Sequence, residues 1–348
     1  MSDRTSVAVL GATGAVGQRF VQLLANHPWF RVVAVTGSER SAGKSYGEAV
    51  RWILPGAPPA EIAQLEVLPT DPGAVEPTLV FSALDARAAD QLETAFREAG
   101  KMVVSNARSH RWDPDVPLVV PEINPDHLEL VPLQQKKYGG AIVTNPNCTT
   151  IGLCLALEPL RRRFGLERVM VTSLQALSGA GYPGVPSMDV LDNVLPEISG
   201  EEEKVENEPR KIFGRLHEGT VEPVDLRISA QCNRVPTRDG HLLSISVEFR
   251  GHPSVEEVRA AIEAYTSPLT GLDLPSAPAR PVVLTDEPAR PQPYLDRERG
   301  GGMVVTVGRL RPCPVLDVRF VALVHNTVRG AAGGTILIAE LLHSRGMI

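Results

Sequence analysis

Several features are scarce in this chain of 348 residues, and each scarcity narrows what the protein can be. Only four cysteines are present, with neither a CxxC pair nor a metal-ligand spacing, which argues against a disulfide framework and for a reduced compartment. No apolar run approaches the length of a membrane span. The formal net charge of −6 argues against a general nucleic-acid binder, although a local basic pocket is compatible with it. We therefore expect no metal, no membrane and no nucleic-acid partner.

The length and the start of the chain set two further expectations. At about 150 residues per domain, 348 residues suffice for two domains with substantial cores. The first apolar stretch begins near Ser6 and leaves no room for a signal peptide, so the expected compartment is the cytoplasm. The sequence contains no evident internal repeat or low-complexity tract.

A glycine-rich turn follows the first apolar stretch. Residues 6–10 predict a strand, the glycines of 11–17 follow directly, and apolar residues then recur at helical spacing before a second strand at 30–35. This βαβ pattern predicts a helix N-terminus that faces the pyrophosphate of a dinucleotide. The G-x-x-G-x-x-G spacing is weak evidence by itself, and a merely structural turn is the alternative.

The end of the second predicted strand indicates which dinucleotide binds. An NAD site usually has an acidic residue there for the ribose 2′-hydroxyl. Hydroxyl and basic side chains that suit a 2′-phosphate occupy this stretch: Ser38, Arg40, Ser41 and Lys44. Glu39 in the same stretch would repel a phosphate and favour NAD. We interpret Glu39 as pointing to solvent, so that NADP(H) is preferred over NAD(H).

The alternation of strands and helices continues to about residue 150. Strands are predicted at residues 78–84, 102–106 and 141–144, and a helix at 88–99. This order predicts a doubly wound parallel sheet with ligands at the carboxyl ends of its strands. Ser82, Asn106 and Cys148 each follow a strand, so we expect them to face one crevice.

Cys148 lies at the predicted start of a helix. Two threonines follow it, and residues 151–158 read as a buried helix. The free N–H groups and the positive dipole end of a helix stabilise thiolate over thiol, which predicts a lowered pKa for Cys148 and a usable nucleophile. The alternative is a small buried hydrophobe, the usual role of a free cysteine.

The second half of the chain has longer strands and fewer helices, which predicts an α+β domain with a mixed or antiparallel sheet. Strands are expected at residues 168–177, 226–235, 242–250, 303–310 and 316–325. One clear helix opens with the capping box of Ser254 and Glu257. The proline-rich stretch 267–299 reads as a long surface connection.

A turn in this half carries an arginine and a histidine. Pro236 and Gly240 indicate the turn, so Arg234 and His241 are predicted to be neighbours in a β-hairpin. Such a pair brings a fixed cation beside a titratable imidazole. Taken alone, hairpin arginines and histidines are more often surface residues.

Two other polar segments are candidates for a site. Gln175 precedes a glycine-rich turn, which suggests close approach of a ligand to the backbone, although a strand glutamine commonly faces solvent. The acidic run that begins at Glu201 follows Ser199, which is the expected N-cap of a helix. Taken alone, this run is typical of a solvated helical face.

Segments along almost the whole chain match one known family in the same order. They are GATGAVG, SERSAGK, FSALD, SNARSHR, PEIN, NPNCTT, the Gln175–Gly181 stretch, EEEK, RVPTRDGH and NTVRGAAGG. Together they resemble the aspartate-β-semialdehyde dehydrogenases, most closely the archaeal and fungal type. The resemblance implies an α/β fold, with a Rossmann-like doubly wound parallel sheet and an α+β catalytic and dimerisation domain. Residues 1–147 plus 326–348 would form the discontinuous dinucleotide-binding domain, and residues 148–325 the second domain.

The resemblance also implies roles for individual residues. Cys148 would be the acyl-forming nucleophile and His241 the general acid/base, while Gln175 and Arg234 hold the substrate, Arg234 by its α-carboxylate. The remaining implied substrate and phosphate contacts are Glu201 for the ammonium group, Lys204 and Arg111 for the phosphate, and Asn106. Arg108 matches less firmly than Arg111, and His110 is expected to be structural.

Further implied contacts concern the oxyanion and the cofactor. Backbone N–H groups near Asn147 and Cys148 are expected to stabilise the oxyanion. Asn326, at the start of the C-terminal segment that returns to the first domain, is expected to contact the cofactor. The expected cofactor-binding residues are Gly11, Thr13, Gly14, Ala15, Val16, Ser38, Arg40, Ser41, Ser82, Ser178, Gly179, Gly181 and Asn326.

The implied reaction is the NADPH-dependent, reversible reductive dephosphorylation of L-aspartyl-4-phosphate to L-aspartate-4-semialdehyde through a cysteine thioester. It belongs to the synthesis of lysine, threonine and methionine. Malonyl-CoA reductase on the same scaffold is an alternative that could retain Cys148, Arg234 and His241. N-acetyl-glutamyl-phosphate reductases usually have glycine before the cysteine, where this chain has Asn147. A silent NADP-binding protein would have lost at least one catalytic residue. The family implies a homodimer or homotetramer.

Overall fold

The computed structural model describes residues 4–348, and the first half of the chain is built on a six-stranded parallel sheet. Its strands are β1 (Thr5–Leu10), β2 (Phe30–Gly37), β3 (Val67–Pro69), β4 (Leu79–Ser82), β5 (Met102–Ser105) and β6 (Ala141–Thr144). Their order is β3-β2-β1-β4-β5-β6, the arrangement of a doubly wound dinucleotide-binding sheet. The central strands are continuous buried apolar runs because helices cover both faces. The predicted parallel sheet is therefore confirmed.

Helices pack on both faces of this sheet. They are α1 (Ala15–Leu24), α2 (Tyr46–Ala49), α3 (Ala60–Ala63), α4 (Ala86–Glu98) and α5 (Leu130–Tyr138). The last helix of the chain, Gly333–Ser344, also packs on this sheet. That last helix contributes Ile336, Leu337 and Leu341 to the same core as β1. Its buried Glu340 accepts hydrogen bonds from Ser276 Oγ at 2.6 Å and lies 2.8 Å from His27 Nε2. The C-terminal segment therefore returns to the first sheet.

A second six-stranded sheet organises the other half. Its strands are β7 (Leu166–Gln175), β10 (Arg227–Arg234), β11 (His241–Phe249), β12 (Val282–Thr285), β13 (Val305–Pro312) and β14 (Val318–Val324), and β8 (Arg215–His217) and β9 (Thr220–Glu222) form a separate ladder. The order is β10-β7-β11-β14-β13-β12 with parallel and antiparallel pairs, so the predicted mixed sheet is confirmed. β12 lies within the proline-rich stretch, which is therefore not only a surface connection.

One face of the second sheet is covered by helices and the other is open. The remaining helices are α6 (Cys148–Phe164), α7 (Ser187–Val190), α8 (Glu201–Ile212), α9 (Val255–Glu263) and α10 (Pro293–Asp296), and Gly333–Ser344 is α11. The capping box of Ser254 and Glu257 opens α9 as predicted. α6 is buried on all sides from Thr149 to Leu160, as expected for a helix between layers. On the open face Met170 and Leu174 are exposed.

The predicted hairpin from Arg234 to His241 is wrong. β7 lies between β10 and β11, pairing in parallel with β10 and antiparallel with β11. The turn over residues 235–240 therefore crosses the end of β7, and Gly240 takes a φ of +100° that glycine adopts without strain. Gln175, paired with Arg234, ends β7 between the other two strands. Three polar side chains thus converge, where the hairpin would have joined only two.

No helix within residues 4–348 is both long enough and apolar enough to cross a membrane.

The packing of α6 on β14 predicts a stability effect at Gly152. A Cβ added there would lie 2.6 Å from Val324 Cγ1, well inside van der Waals contact. We expect Gly152→Ala to lower the free energy of unfolding by about 1–3 kcal/mol, measured by urea denaturation. Gly251→Ala is the matched control, because its added Cβ meets only Phe164 O at 3.8 Å. The control should stay within about 0.5 kcal/mol of the original protein. Equal losses in both variants would contradict the close approach.

Candidate active site

Cys148 is the first residue of α6, as the sequence predicts. Asn147 caps the helix, and its Oδ1 accepts hydrogen bonds from the Thr149 and Thr150 N–H groups at 2.9 and 3.1 Å. A Cβ added at Gly330 would lie 2.6 Å from Cys148 Cβ, so the C-terminal segment packs directly on the cysteine. Gly330 lies in the NTVRGAAGG segment but is not one of the site residues expected from the sequence. The nucleophile candidate is therefore held at the junction of both halves of the chain.

His241 lies against the sulfur, with Nε2 3.2 Å from Cys148 Sγ. The ring is completely buried, and Nδ1 accepts a hydrogen bond from the Ala176 N–H at 3.1 Å. A backbone amide only donates, so the neutral ring carries its proton on Nε2, facing the sulfur. Burial lowers the pKa of His241 to about 3, which keeps the ring neutral at pH 7.

The thiol of Cys148 does not have the lowered pKa that the sequence predicts. Burial, followed by the charge of Glu201, raises the pKa of this thiol to about 12. Lys204, Arg234 and Arg111 act in the opposite direction. Desolvation disfavours the charged sulfur more strongly than these groups favour it. The resting sulfur is therefore a thiol, beside cations that suit an anionic ligand.

Gln175 and Arg234 end neighbouring strands and are both buried. Gln175 Nε2 donates to Ser173 Oγ at 3.1 Å, and Arg234 Nη1 donates to Ala176 O at 2.8 Å. No carboxylate within residues 4–348 forms an ion pair with Arg234. Burial lowers the pKa of Arg234. A Cβ at Gly179 would lie 2.8 Å from Arg234 Nη1. A glycine at this position, four residues after Gln175, therefore leaves room for the arginine.

The acidic run of α8 is not a solvated face at every position. Glu201 is 5% exposed; its Oε1 accepts from Asn147 Nδ2 at 2.7 Å, and its Oε2 from Lys204 Nζ at 2.5 Å. Burial alone would raise the pKa of Glu201, but Lys204 and the amide outweigh it and the pKa is lowered. The N-cap of α8 is Gly200 in a left-handed conformation, so the prediction of Ser199 is wrong.

Arg111 follows β5 and is buried beside α8. Its Nη1 donates to Glu208 Oε1 at 2.7 Å and its Nη2 to Asn106 O at 3.2 Å. Asn106 Oδ1 in turn accepts from Asn145 Nδ2 at 2.9 Å. Glu208 Oε2 accepts the Asn147 N–H at 2.7 Å. This N–H is therefore not free to stabilise an oxyanion, contrary to the expectation. Of the two expected donors only the Cys148 N–H lacks an acceptor within residues 4–348.

A cavity of about 600 Å³ opens beside Arg111. Its basic side chains are Arg87, Arg108, Arg111 and Lys204. Arg87 was missed by sequence reasoning, because a single arginine at the start of α4 carries no signal of its own. His110, by contrast, lies 2.8 Å from Asp113 through Nδ1, in keeping with the expected structural role. Three acidic side chains, Asp90, Glu203 and Glu208, also line this cavity, so an anion would have to bind at its basic side.

A second cavity, of about 760 Å³, lies over the glycine-rich turn between β1 and α1. Gly11, Thr13, Gly14 and Ser38 line it. Gly11 has a φ of +70°, and a Cβ there would lie 3.0 Å from Ala83 O, so only glycine fits the turn. Gly14 is the N-cap of α1, and the expected cofactor-binding residues Ala15 and Val16 are the first two residues of this helix. This cradle fits the pyrophosphate end of a dinucleotide.

Some expected cofactor residues are not in this lining. Arg40 and Ser41 do not line the cavity, whereas Glu39, interpreted as pointing to solvent, is exposed and does line it. Ser82 is fully buried and lies outside the lining. Its placement differs from the expectation because β4 is a central strand that is buried at all four of its positions.

A smaller cavity of about 260 Å³ lies between the start of α1 and the turn after β7. Ala15, Ser178 and Gly181 line it, together with Arg19 and Arg238, which sequence reasoning missed. Asn326, itself buried, connects the surrounding loops: its Nδ2 donates to Ser178 Oγ, and its Oδ1 accepts the Gly240 N–H, both at 2.8 Å.

Across residues 4–348 the structure groups no three His, Cys, Asp or Glu side chains in a way that would hold a metal ion. The chemistry available to the described side chains is that of a thiol, an imidazole and several cations.

The opposing charges beside Cys148 predict opposite effects on thiol reactivity. Glu201→Gln removes a charge that raises the thiol pKa, and Lys204→Gln removes one that lowers it. At pH 8 we expect iodoacetamide to alkylate Cys148 about threefold to tenfold faster in Glu201→Gln and correspondingly slower in Lys204→Gln, measured by mass spectrometry. Glu203→Gln on the exposed side of α8 should leave the rate within about twofold. Slower alkylation in Glu201→Gln than in Lys204→Gln would contradict the opposite effects assigned to these two charges on the thiol pKa.

Known proteins match both halves of the chain. A model described as the NAD binding domain of semialdehyde dehydrogenase matches residues 6–131, and one described as its dimerisation domain matches residues 157–329. The aspartate-semialdehyde dehydrogenase of Archaeoglobus fulgidus is 52% identical over 341 residues, 97% of this chain and 98% of the relative. That of Saccharomyces cerevisiae is 44% identical, with both chains covered completely.

Solved structures give the same result. A crystal structure of aspartate semialdehyde dehydrogenase with NADP from Candida albicans superposes with a TM-score of 0.93 at 44% identity, covering 99% of this chain and 100% of that one. Aspartate semialdehyde dehydrogenase II from Vibrio cholerae, complexed with ASA, gives 0.77 at 26% identity, covering 98% and 99%. These matches extend over essentially the full length of the chain. The chain therefore belongs to the aspartate-semialdehyde dehydrogenase family of oxidoreductases.

Proposed function

We propose that this protein catalyses the NADPH-dependent, reversible reductive dephosphorylation of L-aspartyl-4-phosphate to L-aspartate-4-semialdehyde through a thioester on Cys148. The observation that carries the proposal is the 3.2 Å contact between Cys148 Sγ and His241 Nε2 at the start of a buried helix. The names of the relatives support the substrate class, and the NADP and ASA in the two solved relatives support both ligands.

Charged groups around the sulfur support a substrate with two negative ends. Arg234, which no carboxylate of residues 4–348 pairs with, is proposed to bind the substrate α-carboxylate with its planar fork, and Gln175 to hold the reacting end. Glu201 is proposed to face the ammonium group. Lys204 and Arg111 line one cavity and are proposed to bind the phosphate.

The proposed chemistry begins at the thiol. Once its proton has left, the sulfur attacks the carbonyl carbon, a C–S bond forms, and the C–O bond to phosphate breaks with the electron pair leaving on phosphate. The Cys148 N–H is available to the oxyanion, a contribution of about 3–4 kcal/mol for a well-placed donor. His241 is the proposed acid/base. Its Nε2 carries the ring proton beside the sulfur while Nδ1 accepts the Ala176 N–H, so Nε2 is proposed to give its proton to the bound phosphate group and then to take the thiol proton.

NADPH, when bound, supplies the hydride that takes the thioester to the aldehyde. The chain's own contribution is the cradle of Gly11 and Gly14 for the pyrophosphate, with Ser178 and Asn326 at the nicotinamide end. One proton is consumed overall and ends on the released phosphate. We retain the preference for NADP(H), with Arg40 and Ser41 proposed to reach the 2′-phosphate from beside the cavity.

Competing activities are less well supported. Cys148, Gln175, Arg234 and His241 converge within one site, which disfavours a silent NADP-binding protein. Malonyl-CoA reduction could use Cys148, Arg234 and His241 as well, and dependence on phosphate separates the two reactions. Placement in the synthesis of lysine, threonine and methionine, and in the cytoplasm, follows from the proposed reaction and stays a prediction.

The protein is proposed to form a homodimer or homotetramer. The model that matches residues 157–329 is described as a dimerisation domain. The open face of the second sheet has exposed apolar side chains, with Met170 at 53% and Leu174 at 38%. Such a face on an otherwise covered sheet is typical of a subunit interface.

The first test is phosphate-dependent reduction of NADP⁺ by the purified protein with L-aspartate-4-semialdehyde. We expect activity that requires phosphate and that falls at least about 10³-fold in Cys148→Ala, because no other thiol within residues 4–348 contacts His241. Cys154→Ala, which changes a buried cysteine six residues further along α6, should retain activity. Activity in Cys148→Ala would contradict the thioester mechanism. If the protein lacks this activity but oxidises NADPH with malonyl-CoA, its substrate is a thioester and not an acyl phosphate.

Cofactor preference has a separate test at Glu39 and Arg40. Arg40→Gln should raise the KM for NADP⁺ about tenfold or more and leave the KM for NAD⁺ within about twofold, since only NADP⁺ carries the 2′-phosphate. Glu39→Gln should lower the KM for NADP⁺ and raise that for NAD⁺, because its carboxylate repels phosphate and accepts from a ribose hydroxyl. Parallel changes for both cofactors would contradict the assigned roles.

A further inference from the structure

Glu208 connects two parts of the site and had no expected role. It lies on α8, is completely buried, and reaches the edge of the cavity beside Arg111. Its Oε1 accepts from Arg111 Nη1 at 2.7 Å and its Oε2 accepts the Asn147 N–H at 2.7 Å. One carboxylate is therefore shared by the proposed phosphate-binding arginine and by the residue that precedes the nucleophile.

α8 also fixes the backbone of Arg111. Lys211, one turn beyond Glu208, donates from Nζ to the carbonyl oxygens of Arg111, Asp113 and Val116 at 2.8, 3.0 and 2.9 Å. Arg111 Nε is buried and has no hydrogen-bond partner within the described part of the chain. The arginine thus has a fixed backbone, a side chain oriented by Glu208, and a donor left over.

The other contact of Glu208 acts on the nucleophile helix. Asn147 caps α6 with its Oδ1, its Nδ2 is held by Glu201, and its N–H is held by Glu208. Both bonds that fix Asn147 from outside α6 therefore come from α8. Because Asn147 directly precedes Cys148, holding Asn147 in place also restrains the Cys148 N–H and sulfur.

From these contacts, and resting on the function proposed above, we infer that Glu208 is a positioning residue that holds the phosphate-binding Arg111 and the start of the Cys148 helix in one fixed geometry. Its two carboxylate oxygens are bonded to Arg111 and to the Asn147 N–H, and neither has a hydrogen bond to the sulfur. Its effect on catalysis passes through Arg111 and Asn147, whose placement relative to each other must match the distance between the phosphate and the carbonyl carbon of the substrate.

The sign of the effect on phosphate binding separates positioning from simple electrostatics. A carboxylate next to an anion site repels the anion, so removal of its charge alone would lower the KM for phosphate. Loss of the bond that orients Arg111 acts in the opposite direction, because a misdirected guanidinium no longer makes its paired hydrogen bonds to phosphate. A positioning role therefore predicts a higher KM.

Glu208→Gln is the test variant, since it keeps the shape of the side chain and offers an amide group to one of two partners that both need an acceptor. In the NADP⁺-reducing direction we expect the KM for phosphate to rise about tenfold or more and kcat to fall about tenfold. The KM for NADP⁺ should stay within about twofold, because Glu208 does not line the glycine-turn cavity.

Glu203→Gln is the matched control. Glu203 is an exposed carboxylate on the same helix and at the same cavity, without a side-chain bond to Arg111 or Asn147. It should leave the KM for phosphate unchanged or lower it. If Glu208→Gln keeps or lowers the KM for phosphate as Glu203→Gln does, the inference is overturned.

A double variant keeps the inference testable if Glu208→Gln alone does not fold. Arg111→Gln/Glu208→Gln leaves no lone buried charge, and the new glutamine at 208 still has an oxygen for the Asn147 N–H. If Glu208 acts on phosphate through Arg111, the double variant has the same KM for phosphate as Arg111→Gln. A further multiplied rise would contradict that route.

Thiol alkylation distinguishes failure of this inference from failure of the proposed function. Inorganic phosphate should change the rate at which iodoacetamide alkylates Cys148 in the original protein and in Glu203→Gln, and should have at least about fivefold less effect in Glu208→Gln. This readout needs no turnover. An original protein that lacks phosphate-dependent activity but shows the alkylation difference would refute the proposed reaction and retain the role of Glu208; an equal phosphate effect in all three proteins would refute that role.

Discussion

The desolvation of the Cys148 thiol, in a residue that is itself partly buried, is the constraint on which the rest of the site depends. A buried sulfur is protected from water, but burial raises its pKa to about 12, so the thiolate needs stabilisation from nearby groups. That stabilisation comes from three cations, from the start of α6 and from the Nε2 proton of His241. Each comes from a different part of the chain, so both sheets must be correctly joined before the thiol is useful.

α8 shows how the same sequence pattern supports two structures. Glu201, Lys204, Glu208 and Lys211 recur at helical spacing, which by itself is typical of a solvated face. Here the helix packs against the start of α6 and the loop of Arg111, and every one of these charges has a partner in those elements or in its own turn. No local signal in the sequence separates the two cases, because the difference lies in which elements the helix meets.

Local features of the fold were predictable, and long-range neighbours were not. The glycine turn, the parallel strands and Cys148 at a helix start follow from patterns of a few residues, each with one physical reading. The hairpin failed because the turn over residues 235–240 is compatible with adjacent strands or with strands on either side of a third. The lowered thiol pKa failed for a related reason, since the degree of burial depends on the whole packed structure.

The balance of buried charge gives the strongest argument about the substrate. Arg111 is paired with Glu208 and Lys204 with Glu201, so these cations are neutralised before anything binds. Arg234 is buried without such a pair among residues 4–348, and its bond to Ala176 O satisfies only one of its five N–H groups. A buried cation without a counter-ion costs free energy until an anion arrives. A substrate carboxylate at Arg234 would recover that cost on binding, which makes this residue a selective recognition point in a protein whose net charge is −6.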